Sequence, residues 1–211
     1  MKVTHAIPIT IPDRKTFLAG VEAFEQHEER DAMYKVATFL VSHFWGKPAE
    51  MADALGVLLL TWNQAFYRFG DFEFKRLEQC IASNASRIEA FKGRDISSLS
   101  DSDEDEIKDL FTQFLHALQI DSGKARGRKS PVGVAKALHL LAPSFFPLWD
   151  KAIALGYRCY YSEDPADKYV EFCKLMKEMT PKIRNYVNQH ARTLLKLIDE
   201  YNYSKYTKKW I

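Results

Sequence analysis

Apolar side chains recur along most of this chain with a helical period, and no segment sustains the one-in-two alternation of a strand. Asp13 can cap a first helix running towards Gln26, with Phe17, Leu18, Val21 and Phe24 on one face at i, i+1, i+4 and i+7. A second apolar stretch, MYKVATFLVSHFW, stops near Gly46. Pro48 suits the first turn of a third helix, and its run ALGVLLLTWNQAFYRF is apolar enough to lie at the centre of the fold before Gly70 ends it. Asp71 begins another helix through FEFKRLEQCIA, and Ser86 to Phe91 form a short one.

In the segment SLSDSDEDEIKDLFTQFLHAL a serine or aspartate caps a helix. The acidic run Asp101, Asp103, Glu104, Asp105 and Glu106 then falls in or near its first turn, where the helix dipole favours negative charge. A basic loop, GKARGRKSP, leads into a helix from Val132 to Ala142, followed by a Pro-bounded turn (PSFFP) and a short helix from Asp150. Asp164 and Pro165 introduce the last helical region, which runs to about Tyr203 with a break or kink near Pro181. The expectation is an all-α fold of nine or ten helices in one domain of 211 residues, in which 48–150 and 1–47 plus 151–211 can form two lobes.

Composition narrows the class. With 46% apolar and 13% aromatic residues the chain can bury a real core, and 27% charged residues is ordinary for a soluble protein. A net charge of +2 does not announce a nucleic-acid binder, so any such claim rests on distribution: Lys124, Arg126, Arg128 and Lys129 cluster after the acidic run. Cys80, Cys159 and Cys173 lack C-x-x-C spacing, which points to free thiols in a reducing compartment and to neither zinc nor an iron–sulfur cluster. No metal or cofactor is expected. The start MKVTHAIPITIPDRK has no long apolar run, and no later segment reaches the eighteen apolar residues of a membrane span. A cytoplasmic monomer without a membrane partner is the expectation.

The chemistry concentrates between Lys124 and Asp150. The helix from Val132 carries two polar side chains, Lys136 and His139, which share a face. On the solvated edge of the helix Lys136 is inert; buried among Val134, Ala137 and Leu140 its amine loses protons more easily and can attack an electrophilic carbon to form a Schiff base. His139 can assist or simply pack. Asp150 follows an apolar stretch and precedes KAIAL, so it caps a helix, and a carboxylate held in that way can also stabilise a developing cation or activate a nucleophile. The basic loop is a solvated surface loop or a phosphate-gripping one, whose two glycines allow close backbone approach and in which Ser130 and Pro131 start a helix whose N-terminal amides also favour an anion. Trp62, Asn63 and Gln64 interrupt an apolar helix: they form a satisfied amide network, or they fill the gap left when a nucleotide leaves a duplex, with Trp62, Tyr67 or Trp149 stacking on the extruded base. The tail YNYSKYTKKWI packs on the core through Tyr203, Tyr206 and Trp210 or touches nucleic acid.

In the order of these parts the chain resembles the helix-hairpin-helix DNA glycosylases, an all-α superfamily that excises damaged or modified bases. Pro131 matches the hairpin proline, Gly133 a hairpin glycine, Lys136 the Schiff-base lysine of some members, and Asp150 the aspartate that starts a later helix. LLLTWNQA looks like the apolar helix ending in a polar cluster, which makes Asn63 or Gln64 the residue that fills the duplex gap. The chain departs from the usual Leu-Pro-Gly-Val-Gly hairpin with Ser-Pro-Val-Gly-Val, has a shorter interval from Lys136 to Asp150, and lacks the cysteine cluster of some members. The resemblance implies an enzyme that binds duplex DNA and cleaves the N-glycosidic bond of a flipped base, in base-excision repair or in defence against modified phage DNA. Lys136 or an Asp150-activated water then attacks, and the lysine route adds strand cleavage. The alternative is a helical DNA-binding or protein-interaction module without the reaction.

Overall fold

The computed structural model describes residues 10–28, 31–187 and 192–211. Among these there is no strand, and the one β-type pairing is an isolated antiparallel bridge between Phe72 and Ile120. The chain is all-α. Helix α1 (Arg14–His27) begins at Asp13, whose side chain accepts from the Thr16 amide at 2.8 Å, and it buries Phe17, Val21 and Phe24 while Leu18 stays partly exposed. Helix α2 (Ala32–His43) and helix α3 (Pro48–Trp62) pack against each other.

The expected single helix through Gly70 is broken. Asn63 leaves helical geometry at φ −115° and ψ 30°, and its amide donates to Ser130 Oγ at 3.0 Å, so that only a short α4 (Gln64–Tyr67) follows. A short polar side chain with a tertiary partner competes with the helical backbone at its own position. Helix α5 (Phe74–Ser83) also starts later than Asp71, because residues 70–72 instead hold the loop after residue 119: the Asp121 amide donates to the Asp71 carbonyl at 2.8 Å, and Ser122 donates to the Asp71 carboxylate. Gly70 is required here, since a Cβ would lie 2.1 Å from the Ser122 carbonyl oxygen.

After α6 (Ala85–Lys92) the acidic run divides between two roles. Asp103 closes a capping box with Ser100 and accepts two 2.7 Å hydrogen bonds from Arg94, whereas Glu104, Asp105 and Glu106 occupy the first turn of α7 (Glu104–Ala117). Helix α8 (Pro131–Leu141) is buried from Gly133 onward. It is capped by Ser130, whose Oγ accepts from the Gly133 amide at 3.0 Å, and it contacts α2, α3 and α7. Helix α9 (Lys151–Gly156) follows the PSFFP turn. Helix α10 (Pro165–Arg184) runs through Pro181 and ends three residues beyond it, so the break expected near Pro181 falls after Arg184. Helix α11 (Leu194–Asn202) continues into a π-helical turn over Tyr203–Lys208. The described residues thus hold eleven α-helices, more than the nine or ten expected, because the apolar run after Pro48 is interrupted at Asn63. One continuous apolar core joins α3, α7, α8 and α10.

Candidate functional site

A cavity of about 470 Å³ opens where the end of α1, the starts of α2 and α9, the end of α3 and the last helix α11 converge on the middle of α8. That size lies within the roughly 300–1,000 Å³ of small-molecule sites. Two lysines, Lys136 and Lys196, and four carboxylates, Glu28, Asp31, Asp150 and Asp199, line it together with Phe24, Trp62, Trp149 and Tyr203.

Lys136 reaches this cavity from a helix whose one other polar side chain is His139, and it is only 9% exposed. Its Nζ donates to the Trp62 carbonyl at 3.0 Å and lies 4.4 Å from the centre of the Trp62 ring. Trp62 is the last residue of α3, so its carbonyl has no helical partner and the amine supplies one. Burial pulls this amine down from its ordinary value to about 8, with the Asp199 and Asp150 charges acting in the opposite direction. A neutral, nucleophilic amine is therefore easier to reach near neutral pH than for a solvated lysine.

Asp150 is placed by both neighbouring layers. Its Oδ1 accepts from the Ile153 amide at 2.8 Å, which caps α9, and its Oδ2 accepts from Thr207 Oγ1 at 2.5 Å in the turn after α11. The preceding Trp149 donates its indole N–H to the Pro131 carbonyl at 3.2 Å, tying the carboxylate's segment to the start of α8. The PSFFP turn is fixed in turn by Tyr169, which donates to the Pro147 carbonyl at 2.8 Å, and by His139, whose Nδ1 lies 2.7 Å from the Phe146 carbonyl. A carbonyl only accepts, so His139 Nδ1 carries the proton and Nε2 accepts from the Tyr34 hydroxyl at 3.1 Å. Burial lowers His139 to about 4, which keeps it a neutral structural strut.

Lys196 lies outside the residues that sequence patterning singles out. It is 1% exposed, and its Nζ stands 3.1 Å from Asp31, 3.7 Å from Asp199 and 3.7 Å from Glu200, beside the rings of Phe24 and Tyr34. Burial acts to lower this amine, but Asp199, Asp31 and Glu200 together outweigh burial and hold it above its ordinary value. Arg192 pairs with Glu200 at 2.7 Å and with Glu25. The signal available in sequence was the charged set Lys196, Asp199 and Glu200 at i, i+3 and i+4 inside an apolar helix, which alone reads as a solvated face.

The remaining sequence-predicted residues separate into groups. Trp62 and Trp149 line the cavity, but Trp149 is nearly fully buried and its N–H is occupied, so Trp62 offers the freer ring. Tyr67 does not line it: its hydroxyl donates to the Leu118 carbonyl at 3.1 Å and its ring packs against Phe72. Asn63 is committed to Ser130, whereas Gln64 is exposed. Gly133 is buried and its amide is committed to Ser130. Lys124, Arg126, Arg128 and Lys129 are all exposed on a loop shaped by Gly123 and Gly127 at φ +74° and +86°, and among the described residues none of the four pairs with a carboxylate. Of the C-terminal aromatics, Tyr203 lines the cavity, Tyr206 packs on Tyr157, and Trp210 stacks on His27 at 4.1 Å between ring centres.

Among the described residues no cluster of three or more His, Cys, Asp or Glu side chains could hold a metal ion, and no helix is long and apolar enough to cross a membrane. Cys159 and Cys173 are buried free thiols and Cys80 a half-buried one. Comparison with protein-family models, with curated proteins and with solved structures finds no match to this chain.

Proposed function

We propose that this protein is a DNA glycosylase of the helix-hairpin-helix type, acting on a base turned out of duplex DNA. The observation that carries the reading is that the Lys136 amine and the Asp150 carboxylate, from separate elements, line one cavity of nucleobase-accommodating size beside the ring of Trp62. Nucleophile, cation-stabilising carboxylate and stacking surface are the three parts that cleavage of an N-glycosidic bond needs. The exposed cations of the 124–129 loop supply a grip on phosphate, and Gln64, exposed just beyond the end of α3, is the amide free to enter the duplex.

As the bond between sugar and base breaks, its electron pair leaves with the base and positive charge develops on the sugar, which the fixed Asp150 carboxylate stabilises. Neutral Lys136 then bonds to the anomeric carbon, and ring opening gives a Schiff base from which β-elimination cleaves the strand; alternatively, water adds there and gives up its proton to Asp150. The test is incubation with duplexes carrying oxidised, deaminated, alkylated and phage-type modified bases, with and without borohydride. The expected outcome is base release that falls by about a thousandfold or more in Asp150→Asn, and a borohydride-trapped adduct that disappears in Lys136→Ala. Release that persists in Lys136→Ala assigns the attack to water. No release across the panel, with or without DNA binding, removes the glycosylase reading.

A further inference from the structure

The carboxylates around Lys196 outnumber their cations. Asp31 stands closest to Lys196 at 3.1 Å, and Glu200 has Arg192 at 2.7 Å, which leaves Asp199 with no nearer cation than Lys196 at 3.7 Å. Asp199 is 8% exposed, and among the described residues its carboxylate makes no hydrogen bond. No protein group among the described residues hydrogen-bonds to this carboxylate, so its partner must come from the cavity side. What exposure it retains opens on the cavity that Lys136 and Asp150 share. A half-matched carboxylate in that position is built either to meet a ligand or to carry a proton.

We propose that Asp199 is the acid of this site, which in its protonated form donates to a ring acceptor of a neutral base and hands over that proton as the base departs. The inference rests on the glycosylase reading and names its substrate class: neutral heterocycles with a ring nitrogen or oxygen acceptor, in preference to bases already cationic. When the bond from sugar to base breaks, its electron pair moves to the base nitrogen. The Asp199 proton passes to another acceptor of the same ring, so the base leaves neutral. The Asp199 carboxylate that remains lies beside the Lys196 cation and regains its proton from solvent before the next turnover. The groups facing Asp199 agree with this. Burial raises it to about 6, with Asp150 before α9 and Asp31 before α2 pushing in the same direction, while Lys196 on its own helix and Lys136 on α8 oppose. Glu200, also on α11, is raised by burial to about 7, so the cluster holds protons close to neutral pH.

The deciding experiment compares release of a neutral base, hypoxanthine, with release of a cationic one, 7-methylguanine, from otherwise identical duplexes. For wild type, release of hypoxanthine should fall about tenfold per pH unit above the Asp199 value near 6, while release of 7-methylguanine should not follow that fall. Asp199→Asn should lose about a hundredfold or more on hypoxanthine and stay within about threefold on 7-methylguanine, and Asp199→Glu, which keeps an acid, should recover part of the hypoxanthine activity. Equal losses on both substrates, no loss on either, or a wild type that acts on 7-methylguanine alone overturns the proposal. If wild type releases no base at all, the glycosylase reading fails by itself, and binding of free adenine, read by the fluorescence of the cavity tryptophans, decides what is left. Binding that is tighter near pH 5.5 than near pH 8 in wild type and insensitive to pH in Asp199→Asn retains Asp199 as the acid of a heterocycle site. Adenine binding that is absent or independent of pH in wild type ends that reading too.

Discussion

Lys136 and Lys196 line the same cavity and are almost equally buried, yet their surroundings give them opposite chemistry. Lys136 faces a backbone carbonyl and the ring of Trp62, neither of which carries a full negative charge, so desolvation prevails and its amine drops to about 8. Lys196 is enclosed by Asp31, Asp199 and Glu200, whose summed attraction exceeds the same desolvation and holds its proton on. Burial alone makes a lysine neither reactive nor inert. The balance between lost water and gained carboxylates decides, and here it divides two identical side chains into a nucleophile candidate and a permanent cation.

The comparison can be broken most forcefully at Lys196. Lys196→Met leaves Asp31, Asp199 and Glu200 crowded without their shared cation and should cost about 3–5 kcal/mol, a drop of roughly 6–20 °C in Tm by calorimetry near neutral pH. A fall of under a degree would mean that the carboxylates are already protonated and the cation is dispensable. Lys136→Met should act in the opposite direction, raising stability by about 2 kcal/mol in denaturant titrations at neutral pH, because an amine held below its ordinary value destabilises the fold wherever it is charged. The sign follows from proton counting: between about 8 and the ordinary lysine value the unfolded chain binds the extra proton, so wild-type stability rises with pH through that window. Lys136→Met should show no such rise, and an unchanged slope would show that Lys136 is solvated.

Thr207→Val, which removes the 2.5 Å hydrogen bond to Asp150 without touching the cap at Ile153, should cost about 1 kcal/mol and slow base release about fivefold in single-turnover assays. The smallest effect is expected on the outside. Lys124→Gln and Arg126→Gln, both in the exposed loop, should each lower the slope of log DNA affinity against log salt by about one and leave single-turnover release from saturated enzyme unchanged. A loss of release at saturation would move these cations from gripping to chemistry, and an unchanged slope would remove them from the interface.

Much of the architecture is legible in local sequence because capping and periodicity are local effects. Asp13 and Asp150 each cap the helix that their sequence context implies. The errors arise where a distant partner intervenes: Asn63 ends α3 because Ser130 receives its amide, and residues 70–72 stay extended because they hold the loop after residue 119. The same division runs through the site. Lys136 and Asp150 stand out in sequence, one as a lone amine on an apolar helix and the other as a helix start after an apolar stretch. Tyr67 attracts attention as an aromatic near the polar cluster but is spent on the Leu118 carbonyl.

By itself the sequence determines that this chain folds as helices, where most of them begin, and that one amine and one carboxylate follow a basic loop. These properties depend on neighbours within a turn or two, where periodicity and caps operate. Only the tertiary structure decides that Lys136 is buried, that Asp150 is held jointly by α9 and the C-terminal turn, and that Lys196 and Asp199 join them in one cavity. The reason is that burial and charge pairing are set by which helices meet, and an amine's proton depends on groups that approach it only after the chain has packed.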